Sequence, residues 1–327
     1  MGTLQSLLKE YEKKRFYLEK EFINKKNELY GKHPRLEEIE TELSLIAITI
    51  SKNILKKDSS IDIPGLKSKS LLLKKERLSI LDSANLSIDI LSPLYECSLC
   101  KDTGYVNSSI CTCLKQKILN IEYNKSNINN INKETFETFN LDFYSNKIDM
   151  AKYNSDISPR ENVKNIKNIS LNFIKCFDDI NEKSLIFTGN SGIGKTFLSN
   201  AIAHELLKLE KTVLYQTSPI LFDTIINYRF GKNDISKSIY ENIYNVDLLI
   251  IDDLGTENLN SIVLSEIFNV INTRLLNNKK TVISTNLSLN DLFKKYEERI
   301  ISRIIGNYTT CKFFGEDIRF IKKGIKI

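Results

Sequence analysis

Apolar residues at helical spacing dominate the first third of the chain. Steps of four and three residues connect eight positions, six of them apolar: Leu4, Leu8, Tyr11, Arg15, Leu18, Phe22, Lys25 and Leu29. Side chains at this spacing share one face of an α-helix. The stretch GKHP at 31–34 ends that helix, a second apolar stripe begins at Ile39, and LLLKKERLSIL at 71–81 starts a third helix. The pattern predicts a small helical hairpin that buries its own stripe, or a stripe that partly docks on a partner.

From about Arg160 onward, short apolar runs alternate with amphipathic stretches. SLIFTG, TVLYQT, VDLLIID and TVISTN are apolar or β-branched, and the chain between them is long enough for crossover helices. This alternation is typical of an α/β fold, a parallel sheet covered by helices on both faces. The preceding stretch, NKSNINNINKETFETFNLDFYS, is polar and rich in asparagine, which indicates a linker. The predicted organisation is a helical domain at 1–120, a linker at 121–159 and an α/β domain at 160–327.

Composition and charge narrow the class of protein. Apolar residues make up 41% of the chain, enough for packed cores, and the net charge of +6 is too modest to indicate nucleic-acid binding by itself. The N-terminus turns charged by Lys9 and Glu10, and no apolar run approaches the roughly 20 residues of a membrane helix. We therefore expect a cytoplasmic protein without membrane contact, in which thiols stay reduced.

A phosphate-binding loop is the strongest motif. GNSGIGKT fits G-x-x-x-x-G-K-[ST], with an apolar strand before it and a helical pattern after it. The glycines let the backbone N–H groups face an anion, and the following helix adds the positive end of its dipole. The predicted nucleotide-binding residues are Gly189, Asn190, Ser191, Gly192, Ile193, Gly194, Lys195, Thr196 and Phe197. Lys195 is predicted to reach the β- and γ-phosphates of ATP, and the Thr196 hydroxyl to bind Mg²⁺.

Polar side chains at the ends of two later strands complete the predicted site. The strand in VDLLIIDDLG ends in Asp252 and Asp253, at the edge where open α/β sheets bind ligands. Asp252 is predicted to hold Mg²⁺ with Thr196, through water, and Asp253 to orient the attacking water. Asn286, at the end of TVISTN, is predicted to hold the γ-phosphate or that water. Lys195, Asp253 and Asn286 are the candidate catalytic residues of this cleft.

Two arginines lie four residues apart in YEERIISRIIG, on one face of a predicted helix. Arginine on a surface helix is usually solvated or paired with an acid. Because an arginine from a neighbouring subunit can stabilise the charge of phosphoryl transfer, Arg303 is the predicted catalytic arginine of a self-associating domain. Arg299 is predicted to close the site or to pair with an acid.

Four of the six cysteines fall within CSLCKDTGYVNSSICTC. The spacing C-x2-C, ten residues and C-x-C suits a closed tetrahedral Zn²⁺ site with four thiolates, Cys97, Cys100, Cys111 and Cys113. Residues two apart on a strand lie too far apart to share an ion, so Cys111 and Cys113 are expected in a turn. Reduced thiols without a metal are the alternative. Zinc would stabilise a small domain that could not otherwise stay folded.

Basic and aromatic side chains alternate in YRFGKNDISKSIY, a combination that suits single-stranded nucleic acid. The candidate contacts for single-stranded DNA are Tyr228, Arg229, Lys232 and Lys237. An ordinary pair of surface helices explains the stretch equally well.

In order and spacing, GNSGIGKT, LLIIDDLGTE, ISTN and ERIISRIIG resemble the AAA+ ATPases, and more closely the bacterial replicative-helicase loaders of the DnaC/DnaI type. The cysteine segment with KETFETFNLDFYS resembles the Gram-positive branch of that family. The resemblance covers the chain from about residue 90, and the earlier part matches only in being helical and charged. The acidic pair is Asp-Asp where most AAA+ proteins have Asp-Glu. Only 24 residues follow Arg303, too few for a full helical lid, so Arg319 is a poor candidate for a lid arginine.

The resemblance implies an AAA+ P-loop ATPase domain with a reduced lid, preceded by a helical zinc-binding domain that docks on the helicase. The implied function is the ATP-dependent loading of a hexameric replicative helicase onto single-stranded DNA, during replication initiation or restart. A transposition helper ATPase, which has a very similar ATPase domain, is one alternative. The other is a nucleotide-sensing adaptor with little hydrolysis, because Asp253 is one methylene shorter than glutamate.

Overall fold

The structure is a computed structural model of the 327-residue chain, and it describes residues 3–56, 62–122, 128–231 and 237–322. The described residues divide into two compact units, one that ends at Cys111 and one that begins at Thr112. Each unit has buried apolar clusters of its own.

The first unit is helical, as predicted. Its helices are α1 (Thr3–Lys32), α2 (Pro34–Lys56) and α3 (Ile63–Ser83), followed by a 3₁₀ turn at Ile88–Leu91. The break between α1 and α2 falls at His33, inside the GKHP stretch. Proline is well placed at the start of α2, because the first residues of a helix have no intrahelical use for their N–H groups.

The core of the helical unit is small. Leu29 of α1, Leu36 of α2 and Leu81 of α3 form one buried cluster, and Ile39, Ile46 and Leu73 form another between α2 and α3. The eight-position stripe on α1 is only partly buried: Tyr11 and Leu29 are buried, whereas Leu4 and Lys25 are exposed. The unit ends in a short antiparallel hairpin of β1 (Tyr105–Val106) and β2 (Ser109–Ile110).

The second unit is built on a five-stranded sheet. Its strands are β3 (Ser184–Thr188), β4 (Val213–Thr217), β5 (Leu248–Leu254), β6 (Lys280–Thr285) and β7 (Tyr308–Lys312). They lie in the order β4-β5-β6-β3-β7, and all neighbours run parallel. The first four are the predicted apolar runs. The edge strand β7 escapes the pattern, because its sequence YTTCK carries little apolar signal.

Helices connect the strands and cover the sheet. They are α4 (Thr112–Glu122), α5 (Ile128–Ile131), α6 (Met150–Tyr153), α7 (Pro159–Lys175), α8 (Lys195–Lys208), α9 (Ser218–Arg229), α10 (Lys237–Asn245), α11 (Ser261–Leu276), α12 (Leu289–Lys295), α13 (Glu298–Asn307) and α14 (Ile318–Lys322). A 3₁₀ turn at Leu141–Phe143 precedes α6.

Both faces of the sheet are buried, which confirms the predicted α/β fold class. Successive strand residues point to opposite faces, so Leu249 and Ile251 of β5 pack with α9, α10, α11 and α13. Leu248 and Ile250 of the same strand pack on the other face with α7 and α8. This two-sided burial explains the continuous apolar run LLII in β5.

The structure departs from the predicted linker at 121–159. Ile131, Phe136, Phe139 and Tyr144 are buried in the α7–α8 layer of the second unit. These few apolar residues are spaced irregularly in an asparagine-rich segment, so no periodicity revealed that they pack. The described part of this segment is therefore continuous with the α/β core.

Helix α4 falls mostly within the predicted first domain at 1–120, but it packs within the second unit. The side-chain amide of Gln116 donates to the Val213 carbonyl at 2.9 Å and accepts from the Val213 N–H at 2.7 Å. One glutamine thus satisfies both backbone groups of a residue on the edge strand β4.

Within the described ranges, no helix is long and apolar enough to cross a membrane.

Candidate nucleotide site and cysteine cluster

The phosphate-binding loop connects β3 to α8, as the motif predicts. The loop begins at Gly189 and ends at Gly194, and both have positive φ angles, 133° and 98°. A Cβ atom on Gly189 would lie 2.3 Å from the Phe313 carbonyl oxygen, and one on Gly194 would lie 2.3 Å from the Tyr144 hydroxyl. Both glycines are therefore required by conformation and by space. Tyr144 also donates a hydrogen bond to the Ile193 carbonyl at 3.1 Å, which fixes the loop from below.

Lys195 lies at the first position of α8 and is almost fully buried. Its ammonium group donates to the carbonyls of Gly189 at 2.7 Å and Asn190 at 2.6 Å, and to the side-chain oxygen of Asn286 at 2.8 Å. Burial lowers the pKa of Lys195 to about 8, against the opposing attraction of Asp253 and Asp252. The ammonium group thus lies beside the side chain of Asn286, the residue that directly follows β6.

Asp252 is buried at the end of β5 and held by three hydroxyl groups. Tyr215 of β4 donates to one carboxylate oxygen at 2.6 Å, Ser284 of β6 donates to the other, and Thr196 donates at 3.3 Å. Burial and the neighbouring Asp252 carboxylate raise the pKa of Tyr215, so this phenol stays a donor. The predicted magnesium pair, Thr196 and Asp252, is therefore in direct contact.

Asp253 follows Asp252 within β5, where the register of this strand with β6 shifts. Its φ angle of 55° is left-handed, an uncommon conformation for a non-glycine residue. The Asn286 amide donates to its carboxylate at 3.3 Å, and Ser284 accepts from its backbone N–H at 3.1 Å. Burial and the charge of Asp252 raise the pKa of Asp253. The structure thus brings Lys195, Asp253 and Asn286 together at one edge of the sheet.

Lys195, Asp253 and Asn286 line a cleft of ≈ 230 Å³, and most of the predicted phosphate-binding residues line it too. Its lining residues are Ser191, Gly192, Gly194, Lys195, Thr196, Phe197, Asp253, Asn286, Ile318 and Arg319. The two residues from α14 were not predicted. Arg319 donates to the Ser191 hydroxyl at 2.9 Å, so the residue judged a poor lid arginine reaches the phosphate loop. Helix α14 also contacts the loop with its backbone, because the N–H of Ile318 donates to the Gly192 carbonyl at 2.9 Å.

The two arginines of α13 do not line that cleft. Arg303 is exposed and donates to the side chain of Asn272 on α11 at 3.1 Å. Arg299 pairs with Glu297 at 2.5 Å, and its guanidinium lies 4.8 Å from the centre of the Phe268 ring. Pairing of Arg299 with an acid is one of the two predicted outcomes for that residue. The exposed position of Arg303 is compatible with contact to another subunit.

The four clustered cysteines come together, with all sulfur atoms within 4.8 Å of one another. Cys97 and Cys111 have sulfur atoms 3.8 Å apart, close to the spacing of about 3.8 Å that a tetrahedron with zinc–sulfur distances near 2.3 Å requires. Cys113 lies in the first turn of α4, so the C-x-C pair spans the junction between a strand and a helix. The N–H of Gly104 donates to the Cys100 sulfur at 3.4 Å. This donor set fits a closed structural zinc site.

The knuckle around these cysteines is braced by Asp102, a buried carboxylate that sequence reasoning missed. It accepts from the backbone N–H groups of Glu96 and Cys97, both at 2.9 Å. The N–H of Cys111 donates to the Gly104 carbonyl at 2.8 Å, which extends the hairpin by one pair and holds Cys111 beside the turn that follows Cys100. These bonds hold the backbone of the cluster without using the sulfur atoms.

The candidate DNA contacts are only partly described. Tyr228 stacks on Tyr240, with ring centres 4.5 Å apart, and Arg229 pairs with the buried carboxylate of Glu266 at 2.8 Å. Lys232 lies outside the described residues. Lys237 is the first residue of α10, but its side chain is not among the described parts of the structure. The structure therefore places two of the four residues together, at the C-terminal end of α9.

A P-loop and an acidic strand end on a parallel sheet define a P-loop nucleotide-binding protein. Residues 129–306 match the family model described as IstB-like ATP binding protein, and the chain belongs to that family. The replicative helicase loader DnaC of Escherichia coli K12 is 29% identical over 136 residues, which are 41% of this chain and 55% of DnaC. The putative insertion sequence ATP-binding protein y4pL of Sinorhizobium fredii is 28% identical over 42% of this chain and 56% of its own. The chain spans about half the length of these curated relatives.

Among solved structures, the crystal structure of the DnaC helicase loader aligns with 54% of this chain and 96% of its own, at 24% identity and a TM-score of 0.43. The predicted resemblance to loaders of the DnaC/DnaI type is confirmed for the ATP-binding domain. Resemblance to the Gram-positive branch stays a prediction.

Proposed function

We propose that this protein is an ATP-dependent loader that places a hexameric replicative helicase on single-stranded DNA, during replication initiation or restart. The observation that supports it is the cleft in which Lys195, Asp253 and Asn286 meet, in a chain whose ATP-binding domain is similar to a replicative helicase loader. The proposal includes ATP hydrolysis, self-association through the ATPase domain and action in the cytoplasm.

The loop and its lysine would hold the phosphates of ATP. Lys195 donates to the neutral carbonyls of Gly189 and Asn190, and phosphate oxygens would give it charged acceptors, which make stronger hydrogen bonds. Arg319 is close enough to the loop to contribute a second positive charge. Thr196 and Asp252 would hold Mg²⁺, which neutralises phosphate charge during phosphoryl transfer.

Asp253 is proposed to orient the attacking water and to accept its proton. Its raised pKa makes Asp253 a stronger base than an ordinary aspartate. Above that pKa the carboxyl group is ionised and can accept a proton. Asn286 bonds to both Asp253 and Lys195, so it would hold the acid and the γ-phosphate in one arrangement. Arg303 from another copy would stabilise the charge that develops during transfer.

The two units are proposed to divide the work. The helical unit, with a zinc ion on the cysteine cluster at its C-terminal end, would dock on the helicase, and the α/β unit would use ATP and contact single-stranded DNA near Tyr228 and Arg229. Helicase docking would need no nucleotide, because the cleft is built entirely from residues of the α/β unit.

Co-purification and loading test this function. The full chain should co-elute with a purified hexameric replicative helicase on size exclusion, and should leave that helicase on closed circular single-stranded DNA only with ATP. Lys195→Ala should keep the complex but lose loading, because it removes the phosphate contact. Lys208→Ala, an exposed lysine at the far end of α8, is the matched control and should load normally. Failure of the wild-type chain to co-elute with any replicative helicase would contradict the proposal.

A transposition helper ATPase is the second candidate, because y4pL matches about as much of the chain as DnaC does. In that case a transposase would replace the helicase as the partner. Capture of a transposase, with no helicase complex under the same conditions, would favour this candidate.

A further inference from the structure

Glu257 is a buried carboxylate four residues beyond Asp253, and its side chain accepts three hydrogen bonds from three separate parts of the α/β unit. The Ser218 hydroxyl donates at 2.5 Å, the Gly255 N–H donates at 2.9 Å, and the Tyr296 hydroxyl donates to the second oxygen. We propose that Glu257 is a positioning residue, which holds Asp253 in its place for ATP hydrolysis and ties the loop after β5 to α9 and to the α12–α13 junction.

A side chain that accepts hydrogen bonds suits this position, because all three partners point donors at it. The Gly255 N–H can only donate, and a hydroxyl group beside a carboxylate also donates, so an acceptor-only group satisfies all three partners. Burying a carboxylate costs several kcal/mol of hydration free energy, which close charge-assisted hydrogen bonds offset. An apolar side chain would avoid this cost altogether, so packing alone does not account for glutamate here.

The loop between Asp253 and Glu257 is a tight turn that needs external support. Asp253 and Gly255 both have positive φ angles, 55° and 109°. The turn closes on itself through Thr256, whose hydroxyl donates to the Asp253 carbonyl at 2.8 Å. Lys295 donates to the Gly255 carbonyl, and Glu257 binds the N–H of the same residue. Lys295 thus fixes the Gly255 carbonyl from outside the turn, and Glu257, at the end of the turn, fixes the Gly255 N–H. The same turn places the Asp253 carboxylate beside Asn286.

The other two partners of Glu257 lie at the ends of helices. Ser218 is the first residue of α9, which ends at Arg229 in the candidate DNA-contacting stretch. Tyr296 follows the last residue of α12 and precedes α13, the helix that carries Arg303. A displacement of the Glu257 carboxylate would therefore disturb three parts of the molecule together. These are Asp253, helix α9 with the candidate DNA contacts, and the start of α13, the helix that carries Arg303.

This inference rests on the proposed ATPase activity, and steady-state hydrolysis by the full chain tests it. Glu257→Ala should lower kcat on the order of 10- to 100-fold, the scale of a misplaced catalytic group, with KM for ATP changed less than about twofold. KM should hold because Glu257 does not line the cleft. Glu257→Gln should recover most of kcat, since its oxygen can accept from Gly255 and its amide can donate to Tyr296. Tyr296→Phe, which keeps the ring and removes one bond, should give an intermediate kcat.

Amide hydrogen exchange supplies a readout that does not need turnover. Glu257→Ala should speed exchange at 218–222, 253–257 and 296–300 together, and leave the P-loop helix α8 unchanged. Glu12→Ala, an exposed glutamate on α1, is the control and should change none of these. Unchanged kcat in Glu257→Ala, or faster exchange confined to 253–257, would overturn the proposal. A wild-type chain that does not hydrolyse ATP would contradict the proposed function instead, and the exchange pattern would still decide the role of Glu257.

Discussion

At the scale of single residues, the lowered pKa of Lys195 predicts how stability and nucleotide binding depend on pH. Its pKa lies near 8, below the ordinary 10.5, because burial disfavours the charged form. Between these two pH values the unfolded chain binds more protons at this group than the folded chain. The contribution of Lys195 to stability without nucleotide therefore rises with pH across that window, and the penalty is fully present below about pH 8.

Nucleotide binding should reverse this shift, because phosphate charge favours the protonated amine. We expect uptake of a fraction of a proton when Mg²⁺ and ATP bind at pH 8.5 to 9, and little uptake at Lys195 at pH 6.5, where the amine is already charged. Calorimetric titrations in two buffers of different ionisation enthalpy measure the uptake. Lys211→Ala, on a lysine outside the cleft, should leave it unchanged. Equal proton balance at the two pH values would contradict the role of Lys195 as the buried phosphate ligand.

At the scale of elements, the cysteine knuckle is proposed to be a zinc-dependent structure. Protein purified under reducing conditions should contain one zinc per chain by elemental analysis. Cys97→Ser with Cys100→Ser should lose the ion and loosen the helical unit, because zinc contributes roughly 10–16 kcal/mol in small zinc-folded peptides. ATP binding should persist, since no cysteine lines the cleft. Cys176→Ser, outside the cluster, is the control and should keep its zinc. Retention of zinc by the double variant would refute the ligand assignment.

At the scale of the whole molecule, Arg303 is expected to work between copies. Arg303→Ala should bind ATP almost normally and hydrolyse it on the order of 10³-fold more slowly, the lower end of the effect of arginine fingers. Mixing it with Lys195→Ala protein should restore part of the activity, because one kind of mixed interface joins an intact cleft to an intact arginine. Lys294→Ala, an exposed cation on the preceding helix, should hydrolyse ATP normally. Absence of rescue in mixtures that demonstrably assemble would exclude the trans arrangement.

The sequence by itself determined the features whose chemistry lies in short contiguous motifs. The P-loop at 189–196, the acidic pair at the end of β5 and the cysteine cluster could be predicted because glycine, aspartate and cysteine at fixed spacing have few other uses. The four apolar strands were equally clear, since a sheet buried on both faces requires continuous apolar runs.

Only the tertiary structure decided which distant residues support those motifs. Tyr215 and Ser284 donate hydrogen bonds to Asp252 from the two strands beside β5. Glu257 binds residues about 40 positions before and after it in the chain. Arg319 of α14 binds Ser191 of the phosphate loop. Single tyrosine, serine, glutamate and arginine residues are common on protein surfaces, so none of them carries a local signal. Their roles arise from pairing across the sheet, where proximity depends on strand order and on the register of the chain rather than on spacing along it.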